Sequence, residues 1–256
     1  MTYSSYLALD EVLEAQRPRS DEHDEMLFIV IHQVYELWFK QLLHEFAHLQ
    51  RALADGKTAR ALHTLRRSLT ILKVVVAQID VLETMTPRQF TSFRARLDAS
   101  SGFQSAQFRA VEAVLGRRDP SVIRHYPAGS EQRDQIEAAM TRPSLFDSFL
   151  GYLVLHDYPV PQECLHRDVA APLEPSQELQ KVLLKVYQDD SGAAQICERL
   201  VDLDEGLQEW RYRHVKMVER TIGDKSGTGG SSGAAYLRTT LFTPIFPDLW
   251  AVRGDL

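Results

Sequence analysis

Two histidines follow runs that contain apolar or aromatic residues at helical spacing. In such segments an imidazole could take part in catalysis or bind a metal. His32 follows Phe28-Ile29-Val30-Ile31, and His214 ends the run Trp210-Arg211-Tyr212-Arg213. An imidazole in such a place can hold a proton or bind a metal, including the iron of a haem. Each histidine alone is more typical of a hydrogen-bonded core or boundary residue, and their separation in the chain gives no sign of a shared site.

An arginine and a glycine-rich run could bind the polar part of a ligand. Arg94 lies four residues after Phe90 on one predicted helix face and could bind a carboxylate through two hydrogen bonds, although most helical arginines are solvated. The run Gly227-Thr228-Gly229-Gly230-Ser231-Ser232-Gly233 would let a backbone approach a ligand closely. It lacks the lysine and the preceding strand of a phosphate-binding loop, so a ligand-contacting loop and a flexible linker stay open.

The composition limits the partners and the cellular compartment that we expect for this chain. The formal net charge of −6 argues against nucleic acid, because a phosphate backbone requires a basic face. No signal peptide is visible at the N-terminus, and apolar runs such as 26–31 are too short to span a bilayer. The two cysteines form no C-x-x-C motif, and the His44/His48 pair has no third metal ligand nearby. We therefore expect a cytoplasmic protein without a membrane partner.

The elements that must position these residues are helices. Apolar residues recur three and four apart from about 21 to 55, including Val30, Leu37 and Leu42. Thr86-Pro87 predicts a helix start, and Ser101 with Gln104 has the spacing of a capping box for the next helix. The predicted helices span about 21–55, 58–83, 87–97, 101–115, 131–141, 144–156, 176–188 and 193–222. With no strand pattern, repeat or clear boundary, we predict one all-α domain over 1–256, a bundle of long and short helices.

Four segments, taken in chain order, carry a family resemblance. They are Asp24-Glu25-Met26-Leu27-Phe28-Ile29-Val30-Ile31-His32-Gln33 with Glu36-Leu37-Trp38, Ser101-Gly102-Phe103-Gln104-Ser105 with Gln107-Phe108-Arg109, Trp210-Arg211-Tyr212-Arg213-His214, and the glycine-rich run. Together they resemble the tryptophan 2,3-dioxygenase family over nearly the whole chain. The resemblance implies an all-α homotetramer that encloses a non-covalent b-type haem and cleaves the indole C2=C3 bond of L-tryptophan with O2, giving N-formylkynurenine.

The resemblance also implies roles for individual residues. His214 matches the iron ligand, and Ser101 and Gly102 match residues that line the haem. Residues that match substrate contacts are Phe28 against the indole, His32 on the indole N–H, Arg94 on the carboxylate, Thr228 on the ammonium and carboxylate, and Tyr3, Tyr6 and Leu7, from a segment lent to a neighbouring subunit. His32 is expected to orient the ring rather than act as a base, because the indole N–H is a very weak acid.

Other functions stay open on the sequence alone. A haem-dependent aromatic monooxygenase of the same superfamily, acting on a tryptophan or tyrosine derivative, would have nearly the same pocket. A haem-binding sensor would not need Arg94 or the glycine-rich run, and a helical scaffold would bind no haem at all. The set of His32, Arg94 and Thr228 favours the dioxygenase.

Overall fold

The computed structural model describes residues 1–97, 104–227 and 233–256, and the regular structure in these ranges is entirely helical. This confirms the prediction of an all-α fold. No helix in the described ranges has both the length and the hydropathy of a membrane span. The helices are α1 (Tyr3–Leu7), α2 (Leu9–Leu13), α3 (His23–Ala54), α4 (Thr58–Leu82), α5 (Pro87–Arg94), α6 (Ala106–Leu115), α7 (Glu131–Met140), α8 (Leu145–Leu155), α9 (Gln162–Leu165), α10 (Gln177–Gln188), α11 (Gly192–Ile222), α12 (Ala234–Arg238) and α13 (Pro247–Ala251).

The three longest helices, α3, α4 and α11, form the centre of the bundle, with α4 packed against both of the others. On α3 the buried stripe runs through Phe39, Leu42, Phe46 and Leu49, spaced three and four apart. Burying each such side chain stabilises the fold by roughly 1.5–3 kcal/mol. This apolar contact makes the long helices a rigid frame for the side chains at their ends.

The apolar spacing predicted the helix α3 but does not identify its buried face. Val30 and Leu37 remain 37% and 56% exposed, whereas Ile31 and Tyr35 are buried. The helix carries apolar residues around most of its circumference in this stretch, so the three-to-four spacing alone does not identify the inward face. Packing against α4, α6 and α8 decides which face is buried.

The helix starts were predicted unevenly. The hydroxyl of Thr86 accepts the backbone N–H of Gln89 at 3.3 Å, with Pro87 in the first turn, as the sequence predicts. Ser101 of the predicted capping box lies outside the described residues. The helix α6 begins at Ala106, and the Ser105 hydroxyl accepts the N–H of Phe108 at 3.1 Å, so Ser105 caps this helix.

One buried carboxylate fastens the C-terminal segment to α11. The Oδ2 atom of Asp204 accepts the backbone N–H groups of Ile245 and Phe246, at 2.7 and 3.0 Å. The indole N–H of Trp250 donates to the same atom at 2.9 Å, and Gln208 donates to Oδ1 at 3.1 Å. Asp204 therefore fixes the path of the chain beyond α12, where helices are short.

The N-terminal arm, residues 1–14, contains α1 and α2, which the sequence did not predict because neither buries an apolar stripe. Tyr3 and Tyr6 are 76% and 72% exposed. The segment after the arm is fastened to the start of α3, where Glu25 accepts the backbone N–H groups of Arg19 and Ser20, each at 2.8 Å. The arm is thus an exposed, aromatic extension on a fixed base.

Candidate functional site

A cavity opens where α3, α5, α6, α11 and α12 converge, with a volume of about 1200 Å³ counting its open mouth. Most of its lining is apolar, with a few polar side chains, which is the usual character of a ligand site. We name two parts of the lining by their residues. The α3 wall consists of Phe28, His32, Phe90 and Arg94, and the α11 wall consists of Arg109, Glu112, Arg211 and His214.

The α3 wall is mainly aromatic. Phe28 and His32, one turn apart on α3, have ring centroids 4.1 Å apart, and the Phe90 ring lies 5.8 Å from Phe28. Phe93 is fully buried and contacts Phe90 edge-on at 5.5 Å, which supports that ring from behind. A surface of this kind holds a planar aromatic ligand through stacked and edge contacts.

His32 has a defined protonation pattern. Its Nδ1 lies 2.7 Å from the backbone carbonyl oxygen of Phe28, and because a carbonyl can only accept, Nδ1 must carry the hydrogen. Burial lowers the pKa of His32, which keeps the ring neutral. The second nitrogen, Nε2, is therefore an acceptor and suits an N–H donor on a ligand.

Arg94 connects α5 to the glycine-rich run. Its Nη2 donates to the backbone carbonyl of Ser226 at 2.5 Å, and no other described residue hydrogen-bonds to this guanidinium. Gly227 and Gly233, the first and last residues of the run, also line the cavity. The structure therefore brings Arg94 and the two ends of the run together.

His214 presents its imidazole to the cavity from α11. The ring stacks on Trp210, with centroids 5.0 Å apart, and Trp210 packs on Phe108 at 4.6 Å. Burial, with smaller contributions from the neighbouring His32 and Arg109, lowers the pKa of His214 to about 4. The imidazole is thus neutral near pH 7 and can offer a nitrogen lone pair to a metal.

Behind His214 lies a buried ion network centred on Glu112. Its carboxylate pairs with Arg109 at 2.7 Å, with Arg211 at 3.0 Å and with Arg117 at 3.1 Å. Burial alone would raise the pKa of Glu112, but these three guanidinium groups hold it below its usual range. Arg211 also donates to the carbonyls of Thr240 and Thr243, so the network joins α6, α11 and the C-terminal segment.

The donor set fits a haem better than a bare metal ion. His214 has no hydrogen-bond partner among the described residues, and these residues contain no group of three His, Cys, Asp or Glu that could hold a metal. A bare ion typically takes three or more protein ligands, whereas a haem iron needs one axial residue because the porphyrin supplies the others. The neutral imidazole of His214, facing a large and mainly apolar cavity, meets that requirement.

Comparison with known proteins decides the family. Residues 1–150 and 160–256 match the family model described as tryptophan 2,3-dioxygenase. The chain belongs to the tryptophan 2,3-dioxygenase family. This confirms the resemblance seen in the four sequence segments.

Relatives in this family are similar over their whole length. The chain is 66% identical to the tryptophan 2,3-dioxygenase of Anaeromyxobacter sp. (strain K), over 100% of this chain and 96% of the relative. It is 57% identical to that of Herpetosiphon aurantiacus and 46% identical to that of Caulobacter vibrioides, over 100% of this chain and 98% of each relative.

Of the site residues predicted from the family resemblance, Phe28, His32, Arg94 and His214 line one cavity. The exposed residues Tyr3, Tyr6 and Leu7 do not line the cavity of their own chain. The remaining predicted residues lie outside the described ranges, and these are Ser101, Gly102 and Thr228.

Sequence reasoning gave no role to the ion network of the tryptophan 2,3-dioxygenase cavity. A signal was present, because Arg109 and Glu112 are opposite charges three apart in the otherwise apolar stretch of α6. Charges on an apolar helix face are buried as pairs or bind a ligand. Arg211, one turn before His214, gave no comparable signal, since its partner Glu112 lies far away in the chain.

Proposed function

We propose that this member of the tryptophan 2,3-dioxygenase family is a haem-dependent oxidoreductase that cleaves the C2=C3 bond of L-tryptophan with O2 and releases N-formylkynurenine. The observation that carries the proposal is the presence, in one cavity, of a neutral His214 without a hydrogen-bond partner among the described residues, an aromatic wall and Arg94. The names of the similar relatives support the same reaction and substrate.

His214 holds the haem in this proposal, through the nitrogen that its low pKa keeps unprotonated. Trp210 fixes the plane of the imidazole by stacking on it. Ser101 and Gly102 are proposed to line the same cofactor. When bound, the haem supplies the activation of dioxygen that protein side chains cannot provide.

The α3 wall and the glycine-rich run bind the substrate. L-Tryptophan is a zwitterion with an apolar ring, so it requires charged groups at one end and an apolar surface at the other. Arg94 pairs with the carboxylate, a contact between charged groups that contributes about 1.5–3 kcal/mol. Thr228 contacts the ammonium and the carboxylate, while Phe28 and Phe90 hold the indole.

His32 orients the ring in this scheme. Its Nε2 accepts the indole N–H, because its Nδ1 hydrogen is committed to the carbonyl of Phe28. One hydrogen bond at the edge of a ring held between aromatic faces fixes its rotation, and with it the position of the C2=C3 bond. The reaction then requires no proton transfer to His32.

Assembly and location complete the proposal. We propose a cytoplasmic homotetramer in which Tyr3, Tyr6 and Leu7 of the N-terminal arm contact the substrate site of a neighbouring subunit. The support is the exposure of the three side chains, which range from 40% to 76%, on a base that Glu25 fastens to α3.

Product mass spectrometry tests the reaction. The haem-loaded, reduced protein is mixed with L-tryptophan under isotopically labelled dioxygen. We expect a ring-opened product that contains both labelled oxygen atoms. A product with one labelled atom would instead identify the aromatic monooxygenase alternative, and an unchanged substrate would contradict the proposed oxidation of tryptophan.

A further inference from the structure

A second, smaller cavity lies inside the bundle, between α3, α4, α6 and α11. We call it the core cavity, and we call the larger cavity that contains His214 the site cavity. The lining of the core cavity comes from all four helices and includes Phe39, Leu72, Phe108 and Leu207. Apart from the partly buried Trp210, every lining side chain belongs to a residue that is no more than 9% exposed, so the space lies in the core rather than at the surface.

The lining determines which kind of molecule the core cavity can hold. Among the residues that the structure describes, no polar atom faces this space. A buried water needs about two to four polar partners, and cavities with purely apolar walls stay dry. An ion or a polar molecule would lose its hydration here without compensation. The chemistry of the walls therefore selects an apolar occupant.

The size of the core cavity limits the occupant further. Its free space admits about one molecule of the size of water, because the surrounding side chains are packed as closely as in other protein cores. A larger apolar ligand, such as an indole or an acyl chain, would have to displace these side chains and strain the packing of α4 against α11. A diatomic gas or a noble-gas atom meets both conditions.

Two aromatic residues line both cavities. Phe108 and Trp210 contribute to the core cavity and to the site cavity, and their ring centroids are 4.6 Å apart. From inside the core, the Phe39 ring lies 5.3 Å from Phe108 and 6.4 Å from Trp210. One layer of aromatic side chains therefore separates the core cavity from the place where Trp210 stacks on His214.

We propose that the core cavity binds dioxygen and exchanges it with the site cavity through the layer formed by Phe108 and Trp210. This inference rests on the proposed function, in which dioxygen is the one small apolar reactant. Passage requires the two rings to tilt apart, and side chains in a close-packed core make such changes while the helices stay in place. Dioxygen held in the core would remain available while the substrate occupies the α3 wall.

Xenon tests the binding site, because it is apolar and is located in crystals by its anomalous X-ray scattering. Crystals of the haem-loaded full chain are exposed to xenon gas, and we expect an anomalous peak in the core cavity of the wild type. Val75→Ile lengthens a lining side chain by one carbon and keeps its branching, so the peak should be lost. Val201→Ile makes the same change at a buried valine outside this lining and should keep the peak.

The oxygen dependence of turnover tests the exchange. The value of kcat/KM for dioxygen is measured at saturating L-tryptophan, with and without xenon. In the wild type and in Val201→Ile we expect xenon to lower this value, because it displaces dioxygen from the core cavity. In Val75→Ile the value should already be lower without xenon and should show no further response to the gas. Val111→Ile fills the same space from α6 and takes the place of Val75→Ile if that variant does not fold.

Four results would change these assignments. Wild-type crystals without xenon in the core cavity overturn the proposal. A folded Val75→Ile whose kcat/KM for dioxygen equals that of the wild type also overturns it. Equal inhibition of both proteins by xenon does the same, because the competing gas would then act in the site cavity. A wild type that shows the xenon peak but consumes no dioxygen contradicts the proposed function and the exchange, whereas the gas site itself stands.

Discussion

The α3 wall and the α11 wall of the cavity are held by different kinds of contact. The α3 wall depends on aromatic packing, and His32 and Arg94 each donate one hydrogen bond to a backbone carbonyl. The α11 wall depends on an ion network that is almost closed to solvent and spans three chain segments. Aromatic contacts adapt to a ligand that enters and leaves, whereas a buried network has few alternative arrangements. The difference matches a transient substrate on one wall and a resident cofactor on the other.

The largest effect on the difference between the two walls is expected when the proposed iron ligand is removed. We expect His214→Ala to lose haem altogether, because the substitution removes the one side chain that the proposal assigns to the iron. Absorbance of the purified protein and of the extracted haem measures this loss. His166→Ala, an exposed histidine away from the cavity, should retain the wild-type content. Normal haem content in His214→Ala would mean that another residue binds the iron.

The next largest effect concerns the charge at the centre of the α11 wall. Glu112→Gln leaves Arg109 and Arg211 without their buried counter-charge, so we expect a loss of about 3–5 kcal/mol in the free energy of unfolding. Denaturant titration of the cofactor-free protein measures it. Glu137→Gln, which removes a half-exposed pair with Arg133, should cost no more than about 1 kcal/mol. Similar losses in the two variants would contradict the importance assigned to the network.

The pH dependence of the free energy of unfolding tests whether Glu112, at the centre of the α11 wall, is ionised in the folded protein. The pKa of Glu112 is lower in the folded protein than in the unfolded chain, so its contribution is complete above the unfolded value of about 4.3 and is lost as the pH falls through the folded value. We expect the stability of Glu112→Gln to fall less steeply with acidification than that of the wild type. Parallel curves would show that the carboxylate is not ionised in the fold.

A smaller effect is expected on the α3 wall, where Arg94 donates to the carbonyl of Ser226 and is proposed to bind the substrate carboxylate. Arg94→Leu should raise the KM for L-tryptophan about 10-fold to 100-fold, since one charged hydrogen bond is lost, with haem content unchanged. Steady-state kinetics and absorbance measure the two quantities. Arg88→Leu removes an exposed arginine from the same helix and should leave KM unchanged. Loss of haem in Arg94→Leu would contradict the assignment of the substrate to the α3 wall and of the haem to the α11 wall.

The smallest effect is expected at His32. Replacement by Phe removes one neutral hydrogen bond, so kcat/KM should fall about 2-fold to 10-fold. A general base would account for a fall of about 100-fold to 10,000-fold. The substrate 1-methyl-L-tryptophan lacks the indole N–H, so the wild type and His32→Phe should differ less with it. A large fall that persists with this substrate would assign proton transfer to His32.

Sequence predicted the helices well where one physical signal dominates. The long apolar periods of α4 and α11 give their bounds to within a few residues, and Thr86-Pro87 marks the start of α5. The sequence predicted the helices less well where two signals compete. Apolar residues around α3 left the buried face undecided, and two serines near α6 were both plausible caps.

The site was predicted by family pattern rather than by physics. Nothing in the chain near His32 indicates His214, because their proximity comes from packing of α3 and α11 on the shared frame of α4. The pairing of Glu112 with Arg211 could not be predicted either, because long-range packing also brings these two residues together. Residue types and local spacing predict which side chains could act, but long-range packing decides which of them meet.

The carboxylate of Asp204 has a consequence for motions that open the fold. Ile245 and Phe246 lie outside any helix, yet their amide hydrogens are buried and held by one acceptor. Exchange of these hydrogens with deuterated solvent requires the C-terminal segment to detach from α11, so they should exchange on the timescale of helix amides rather than of loop amides. The irregular segment before α13 is therefore expected to open together with α11 rather than as a separate loop.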